Sequence, residues 1–497
     1  MRARDSQLDA RERQARPERV AERSVVVGKP GNSGGAKGPQ FKEDVRSGDS
    51  PESGVSLVPP ATVEKLQKTL HAKAKGFSHY RFYTLYDKIC RADVLEYAYR
   101  IGRANGGAAG VDGQTFEDIE AYGREPWLKE LAEELRERRY CPEAVRRVHI
   151  PKPGQPGKTR PLGIPTVKTR VVMTAAMLVL GPIFEPDLQP EQYAYRPDRG
   201  ALDAVRHVHR LLKTRHWEVI DADLSGYFDS IPHSALLKSV ARRISDRRVL
   251  RLIKMWLHAP VEETDVRGYC RRTTRNKDEG RGCPQGAPIS PLLANLYMRR
   301  FILGWKTLGH EQRLQAKIVN YADDFVICCR GSAAQAMAAM RAMMSGLKLT
   351  INEQKTHICR LPDESFDFLG YTLGRCYSPQ TGFRFIGQRP SNKKIRSLCE
   401  RIGEATSAST CSKDVAEIVK RLNVMLQGWA NYFRLGPVSK AYRLATNHAR
   451  QRLRQWLCRK HEQRGMGYTR YPDSYLHAEL GLVQLRLVDR NVPWAPA

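Results

Sequence analysis

Two adjacent acids inside a long apolar run constrain the fold of this chain more than any other stretch. Asp323 and Asp324 lie between two mostly apolar segments, residues 318–322 and 325–329. Apolar, β-branched flanks of this length predict two buried strands joined by a tight turn, with both carboxylates at its tip. Unpaired buried charge is costly, so a cation should compensate the pair, and a divalent metal is the natural candidate. An Asp-Asp turn by itself also fits a solvated hairpin tip.

A second acidic stretch, residues 219–229, ends another apolar strand with a turn. If Asp223 lies beside Asp323 and Asp324, three carboxylates can hold two Mg²⁺ ions. Two such ions clamp the attacking and leaving oxygens of an in-line phosphoryl transfer, one at a primer 3′-hydroxyl and one at a triphosphate. Asp221 and Asp229 flank this position, and we assign both to hydrogen bonding in the turn.

The charge balance limits the partners of the chain. Of 497 residues, 83 are Lys or Arg and 53 are Asp or Glu, which gives a formal net charge of +30. A surplus of this size favours a polyanionic partner, and nucleic acid is the first candidate. We find no segment with the apolar length that spans a bilayer, and the polar N-terminus lacks the apolar core of a signal peptide. We therefore expect no membrane partner.

The cysteines indicate the compartment. The chain has eleven cysteines, and none of them forms a Cys-x-x-Cys pair. Cys328 and Cys329 fall in the apolar strand that follows the acid pair. This pattern favours reduced thiols in the cytoplasm over a disulfide framework or a zinc site.

Three motifs in order carry a resemblance to a known family. The motif Tyr-Ala-Asp-Asp at 321–324 is preceded by Asp-Leu-x-x-x-Phe-Asp at 223–229 and by Gly-Cys-Pro-Gln-Gly-Ala-Pro-Ile-Ser-Pro at 282–291. Together they resemble reverse transcriptases, and residues 285–295 resemble the group II intron-encoded class in particular. The resemblance implies an α+β, right-hand polymerase with fingers, a palm with an antiparallel sheet, and an α-helical thumb and maturase domain.

The resemblance covers about residue 80 to the C-terminus and divides the chain into five segments. The tail at 1–60 is basic, polar and rich in Gly, Ser and Pro, so we predict that it is disordered. Residues 61–145 form an N-terminal extension and the start of the fingers, with short helices over 80–87 and 92–99. Fingers and palm occupy 146–390, a helical thumb and maturase (X) domain 391–464, and a short DNA-binding region 465–497. The HNH endonuclease domain that some members carry is not expected.

Cations around a predicted β-hairpin form the first candidate nucleotide contact. The hairpin from 146 to 165 carries Lys152 and Arg160 near its bend. These side chains can close over an incoming triphosphate, because Arg binds phosphate through two parallel hydrogen bonds and Lys acts as a point charge. A solvated basic hairpin is the alternative, and the palm motifs that follow favour the nucleotide role.

The resemblance implies that the three aspartates are the catalytic metal ligands. It also implies further contacts around them. The Leu224 carbonyl is expected to complete the metal shell. Phe228 should press on the sugar of the incoming nucleotide and exclude a 2′-hydroxyl, unless it is core. Gln285 should donate to the nucleotide, and Gly286 should let the backbone approach a base pair. Lys355 is expected at the leaving pyrophosphate, or else as a solvated lysine in a turn.

Arginines are the candidate nucleic-acid contacts. Arg196 lies in the stretch 192–200, which resembles the family's Tyr/Phe-x-Arg-Pro turn, and it either touches the template backbone or stabilises that turn. A helix predicted from 439 to 461 carries Arg443, Arg450 and Arg454 on one face. Three helices in this region suit a thumb that grips a duplex by its phosphates.

The expected function is RNA-directed DNA polymerisation by a group II intron-encoded protein that also binds intron RNA to promote splicing and mobility. The expected partners are intron RNA, an RNA template with a DNA primer, target DNA and deoxynucleoside triphosphates, and a homodimer is left open. One alternative is a freestanding reverse transcriptase of defence or repair type. Another is a splicing cofactor that binds RNA and no longer polymerises.

Overall fold

The computed structural model describes residues 58–151, 157, 159–265, 269–378 and 381–486. Apart from 58–60, the tail for which disorder is predicted lies outside the described residues. Lys152, one of the candidate nucleotide contacts, also lies outside them.

Helices make up the N-terminal part of the described chain. Five of them precede the first strand: α1 Ala61–Gly76, α2 Tyr86–Ile89, α3 Ala92–Asn105, α4 Phe116–Tyr122 and α5 Arg124–Arg136. The helix predicted over 92–99 is confirmed as part of α3. It ends where Gly106 takes a positive φ of 60°, a conformation that glycine adopts at little cost.

The helix predicted over 80–87 is wrong, because tertiary contacts hold this stretch in another conformation. Phe82 forms a backbone bridge with Ile244. The backbone N–H groups of Leu85 and Tyr86 both donate to Asp246 Oδ2, each at 2.9 Å. Helix α2 therefore begins only at Tyr86.

Strands and helices alternate through the middle of the chain. Their bounds are β1 Val145–Pro151, β2 Thr159–Ile164, α6 Val167–Phe184, α7 Ala201–Lys213, β3 Glu218–Asp223, α8 Tyr227–Ser230, α9 His233–Ala241, α10 Arg247–His258, β4 Val261–Thr264, β5 Cys270–Thr273, α11 Arg275–Asp278, α12 Ser290–Thr307, α13 His310–Arg313, β6 Ala316–Tyr321, β7 Asp324–Cys329, α14 Ala333–Gly346, β8 His357–Arg360, β9 Phe366–Phe368, β10 Tyr371–Tyr377 and β11 Arg384–Pro390. The strands form three sheets, of order β2-β1-β4-β5, β6-β7-β3-β8 and β11-β10-β9.

The four-stranded sheet β6-β7-β3-β8 is antiparallel throughout and is covered on both faces. Phe325 and Ile327 belong to a core that includes residues of α12 and α14. Val326 and Cys328, on the opposite face of the same strand, belong to a core that includes residues of α7. Burial of both faces explains why the sequence around the acid pair is continuously apolar instead of alternating. The predicted pair of buried strands joined by a tight turn is confirmed.

Helix α6 corrects the expectation about membrane-length segments. Residues Val167–Asp187, which comprise α6 and the 3₁₀ turn after it, are long and apolar enough to cross a bilayer. Most of this segment is buried inside the protein, where α1 and α3 pack against it. It is thus the central helix of a core, which has the same composition as a membrane-spanning helix.

Three helices close the chain: α15 Asn392–Ala405, α16 Val415–Tyr432 and α17 Ser439–Lys460. They pack against one another, as predicted for the thumb. The hairpin β9–β10 is fastened to them at its turn, where the Tyr432 hydroxyl donates to the Leu369 carbonyl at 2.7 Å. In the return direction, the Tyr371 hydroxyl donates to the Tyr432 carbonyl at 2.5 Å.

Candidate active site

The strand register places two of the three aspartates face to face. Asp223 is the last residue of β3 and Asp324 the first of β7, and they are directly paired across the ladder. Asp323 precedes Asp324 in the turn, next to Ala322, whose φ of +58° tightens that turn. Like charges directly opposite each other on a sheet are destabilising. The fold therefore creates a site that favours a bound cation.

Asp221 and Asp229 both lie outside the turn in which hydrogen bonding was predicted for them. Asp221 lies within β3, paired with Val326 on one side and His357 on the other, and therefore belongs to no turn. Asp229 lies in the one-turn helix α8. The turn that separates the two is Leu224 to Gly226, where Gly226 takes a positive φ of 55°.

The carboxylate of Asp223 is held by the loop that precedes β8. Lys355 Nζ lies 2.8 Å from Asp223 Oδ2, and Asn352 Nδ2 donates to the same oxygen at 3.1 Å. The Lys355 side chain remains 54% exposed. The ammonium thus supplies one positive charge at the acid pair. The sequence did not indicate this ion pair, because it predicts Lys355 at the leaving pyrophosphate.

Tyr195 is a further site residue that the sequence analysis missed. Its backbone is left-handed, with φ +57°, and it is flanked by Ala194 and Arg196 in the turn before α7. Burial raises the pKa of the Tyr195 hydroxyl, and the charges of Asp323 and Asp324 raise it further, whereas Arg160 lowers it. These interactions place Tyr195 near the acid pair and Arg160 near Tyr195. The resemblance of residues 192–200 to the family's turn was the available signal, but it directed attention to Arg196.

The donor chemistry at the acid pair fits a hard divalent cation. All three aspartates offer carboxylate oxygens, the ligands that Mg²⁺ prefers. No group of three or more His, Cys, Asp or Glu residues is already gathered as a metal cluster in the described part of the chain. A bound ion would need Asp223 to turn from Lys355 toward Asp324, with backbone or substrate oxygens as further ligands. Leu224 is suitably located, because the bridge between it and Ile351 is held by the Asp223 carbonyl and the Ser225 N–H.

The sheet β2-β1-β4-β5 is joined to the loop of Gln285 by a backbone hydrogen bond. The Gly163 N–H donates to the Gln285 carbonyl at 2.6 Å, which joins β2 to the loop before α12. Gly286 has φ +104°, and a Cβ there would lie 2.6 Å from the Gly163 carbonyl oxygen. The close approach that requires glycine at 286 is thus made by strand β2, and the predicted approach to a base pair is not tested.

Phe228 and Arg160 lie at the edges of this site. Phe228 is half-buried in α8 and packs edge-on against Tyr227, with ring centroids 5.7 Å apart. Its carbonyl accepts a hydrogen bond from the Cys283 N–H at 2.7 Å, which connects α8 to the motif of Gln285. Arg160 is partly exposed in β2. Both side chains keep exposed surface for a substrate.

Arg196 is buried and binds neighbouring groups, which supports the second of the two roles that the sequence leaves open for it. Its side chain is only 5% exposed. The guanidinium donates to Glu185 Oε1 at 2.6 and 2.9 Å, and to the carbonyls of Gln189 and Gln192 at 2.8 and 3.0 Å. Arg196 therefore stabilises the turn, which is the alternative left open by the sequence.

The predicted arginine face of α17 is divided by the C-terminal segment. Arg454 is 4% exposed and donates to Asp473 Oδ1 at 2.5 Å and to the Tyr471 carbonyl at 2.9 Å. Arg450 also pairs with Asp473. The prediction of nucleic-acid contact is therefore wrong for Arg454, because residues 471–473 cover it, and Arg450 is largely engaged. Arg443 is exposed and forms no ion pair within the described part of the chain.

Comparison with known proteins agrees with this architecture. Residues 150–373 match the model of reverse transcriptase (RNA-dependent DNA polymerase), and residues 395–471 match the group II intron, maturase-specific domain. Protein YkfC of Escherichia coli (strain K12) is 34% identical over 368 residues, which are 67% of this chain and 93% of that protein. The group II intron-encoded protein LtrA of Lactococcus lactis subsp. cremoris is 26% identical over 353 residues, 59% of this chain and 57% of LtrA.

The chain belongs to the group II intron-encoded reverse transcriptases. The fold is accordingly that of a right-hand polymerase, in which the sheet β6-β7-β3-β8 is the palm and α15 to α17 form the thumb and maturase domain. Its enzymatic class is RNA-directed DNA polymerase, which depends on divalent metal and acts on nucleic acid. The maturase-specific domain adds intron RNA as a substrate class.

Proposed function

We propose that this group II intron reverse transcriptase copies RNA into DNA with Asp223, Asp323 and Asp324 as the catalytic residues. The observation that carries the proposal is the direct pairing of Asp223 with Asp324 at the end of the palm sheet. The three carboxylates, with the Leu224 carbonyl, would hold two Mg²⁺ ions. When bound, these ions activate the primer 3′-hydroxyl and stabilise the charge on the triphosphate.

The remaining contacts position the incoming deoxynucleoside triphosphate. Arg160 lies near Tyr195, which in turn lies near the acid pair, so its guanidinium would bind the triphosphate in two-point geometry. Phe228 would exclude a 2′-hydroxyl, and Gln285 would donate to the nucleotide. We further propose that Lys355 would reach the leaving pyrophosphate, because its ammonium is half-exposed and its stem is flexible.

We also propose that the thumb and maturase domain binds intron RNA and promotes splicing and mobility. Two findings support this proposal. Residues 395–471 match the maturase-specific domain, and the relative LtrA is named a group II intron-encoded protein. Template RNA, primer and target DNA would be further partners, with exposed cations such as Arg443 at phosphates. We propose that the protein acts in the cytoplasm. Its eleven free cysteines agree with a reducing compartment. A homodimer belongs to the same proposal and is tested by the mass of the protein in solution.

Primer extension tests the polymerase. Wild-type protein, Asp323→Ala and Asp363→Ala are compared on poly(rA)/oligo(dT) with dTTP and Mg²⁺. Asp363 is a matched control, since it is an exposed carboxylate after β8, at the far end of the palm sheet. Extension by wild type and control alone is expected. Extension at full rate by Asp323→Ala would remove that residue from the catalytic set.

A splicing assay tests the second activity. The protein is added to its own intron precursor RNA at low Mg²⁺, where unassisted splicing is slow. Asp323→Ala should still promote splicing, because its RNA-binding surface is unchanged. Extension without any effect on splicing would favour the freestanding reverse transcriptase, and splicing without extension would favour a cofactor that no longer polymerises.

A further inference from the structure

A cavity of about 300 Å³ opens on the palm between the end of α6, helix α9 and helix α12. Four of its lining residues are cations: Lys238, Arg242, Arg299 and Arg300. One lining residue, Asp187, is an acid. None of these residues belongs to the active site described above.

The acid in this cavity is already neutralised by a fifth cation. Arg243 Nε lies 3.4 Å from Asp187 Oδ2, and the Arg243 side chain is only 3% exposed. The guanidinium of Arg243 is fixed further by the Ala74 carbonyl, which accepts from it at 2.7 Å. The four lining cations form no ion pair with other described residues, so their charges are not balanced from within this part of the protein.

Two of the arginines are anchored to the cavity walls. Arg299 Nε donates to the Asp187 carbonyl at 2.5 Å, at the end of α6. Arg300 donates to the Ala235 carbonyl at 3.2 Å, on α9. Burial lowers the pKa of Arg299 and the nearby charge of Arg242 lowers it further, whereas Asp187 raises it and Arg243 lowers it again. Cations held in place against mutual repulsion are stabilised when an anion enters.

We propose that this cavity binds a phosphate group. Arginine matches the tetrahedral oxygens of phosphate with paired hydrogen bonds, and lysine adds a mobile charge at the rim. Two sources share this chemistry: the backbone of a bound RNA strand, which rests on the RNA-binding function proposed above, and a small free phosphate such as pyrophosphate. The cations give no means of distinguishing bases, so contact with RNA here would be independent of sequence.

The test removes the two rim cations together. Lys238 and Arg242 are both exposed, so the double variant Lys238→Ala, Arg242→Ala should fold. The matched control is Lys129→Ala, Arg136→Ala, which removes two exposed cations from α5. Unfolding temperature is measured with added inorganic phosphate or pyrophosphate against chloride at equal ionic strength. RNA affinity is measured across a range of salt concentrations.

Protection by phosphate or pyrophosphate in wild type and control, and its loss in the cavity variant, would support a site for a free phosphate. A reduction in the slope of log K against log salt by about 1 in the cavity variant alone would support an RNA phosphate. Identical behaviour of both variants in both assays would overturn the proposal. Primer extension by the cavity variant separates this result from failure of the proposed polymerase, which depends on the distant aspartates.

Discussion

In the palm, Asp223 faces Asp324 across the sheet, whereas in the thumb Asp473 lies between Arg450 and Arg454. The first arrangement places like charges together, and the second places a carboxylate between two guanidinium groups. The two regions differ in whether a charged side chain faces one of the same sign or one of the opposite sign.

This difference separates binding residues from structural ones. Arg454 and Asp473 neutralise each other, and burial of the guanidinium leaves it no surface for a phosphate. Asp324 faces another aspartate, and Lys355 is bonded to Asp223. Like charges that the fold holds opposite each other favour an external ion or ligand. The cavity of Lys238 and Arg242 is the cationic counterpart of the acid pair.

The largest expected effect is that of Asp324→Asn. The change keeps the shape of the side chain but removes a charge that holds metal, so polymerisation should fall by at least about 10³-fold. In the absence of metal the same variant should be as stable as wild type or up to about 1 kcal/mol more stable, because repulsion from Asp223 is relieved. Extension rates with Mg²⁺ and unfolding in EDTA measure the two effects. A variant that is inactive and also unfolded would contradict this explanation.

Arg454→Ala should have the opposite profile. Its removal leaves the Tyr471 carbonyl and Asp473 Oδ1 without their donor, while Arg450 still pairs with the other carboxylate oxygen. We expect a loss of about 2 kcal/mol in the free energy of unfolding. This loss in the free energy of unfolding is smaller than for a fully buried ion pair, because the Asp473 carboxylate is half-exposed. Denaturant unfolding measures the loss. Wild-type stability combined with weaker RNA binding would return Arg454 to the nucleic-acid contacts.

The sequence predicted the palm well for a physical reason. The continuous apolar run around Asp323 fits a strand buried on both faces, and few other structures tolerate such a run with two acids at its turn. The order of the motifs then predicted Asp223 as the neighbour. Local pattern and tertiary structure agree here, so the two strands and the turn between them followed from the sequence.

The thumb arginines could not be resolved in the same way. Helical periodicity correctly places Arg443 and Arg454 near one face, but it does not show that residues 471–473 return to cover one end of that face. The role of Arg196 was left open for a similar reason, because Glu185 and the carbonyls that bind it come from outside its own turn. Exposure of a charged side chain is a tertiary property that a one-dimensional pattern does not contain.

Lys355→Met sharpens the contrast within the palm. The ammonium of Lys355 competes with a metal ion for Asp223, so its removal should tighten divalent metal binding by up to about 5-fold, the limit for an exposed ion pair. Extension should nevertheless slow, because the proposed contact with pyrophosphate is lost. Mn²⁺ titration followed by electron paramagnetic resonance measures the affinity. Lys317→Met, an exposed lysine on β6 of the same sheet, is the control and should change neither quantity.

Arg443→Ala should give the smallest effect. It tests, within the thumb, whether a charged side chain without an ion pair marks a binding residue. Arg443 and Arg454 lie on the same helix, but Arg443 is exposed and has no ion pair in the described part of the chain. Its removal should leave the free energy of unfolding within about 0.5 kcal/mol of wild type. The slope of log K against log salt for RNA binding should fall by about 1, the signature of one lost phosphate contact. An unchanged slope would mean that an exposed charge without an ion pair does not by itself mark a binding residue. Binding residues would then be marked only where the fold holds like charges together, as at Asp223 and Asp324.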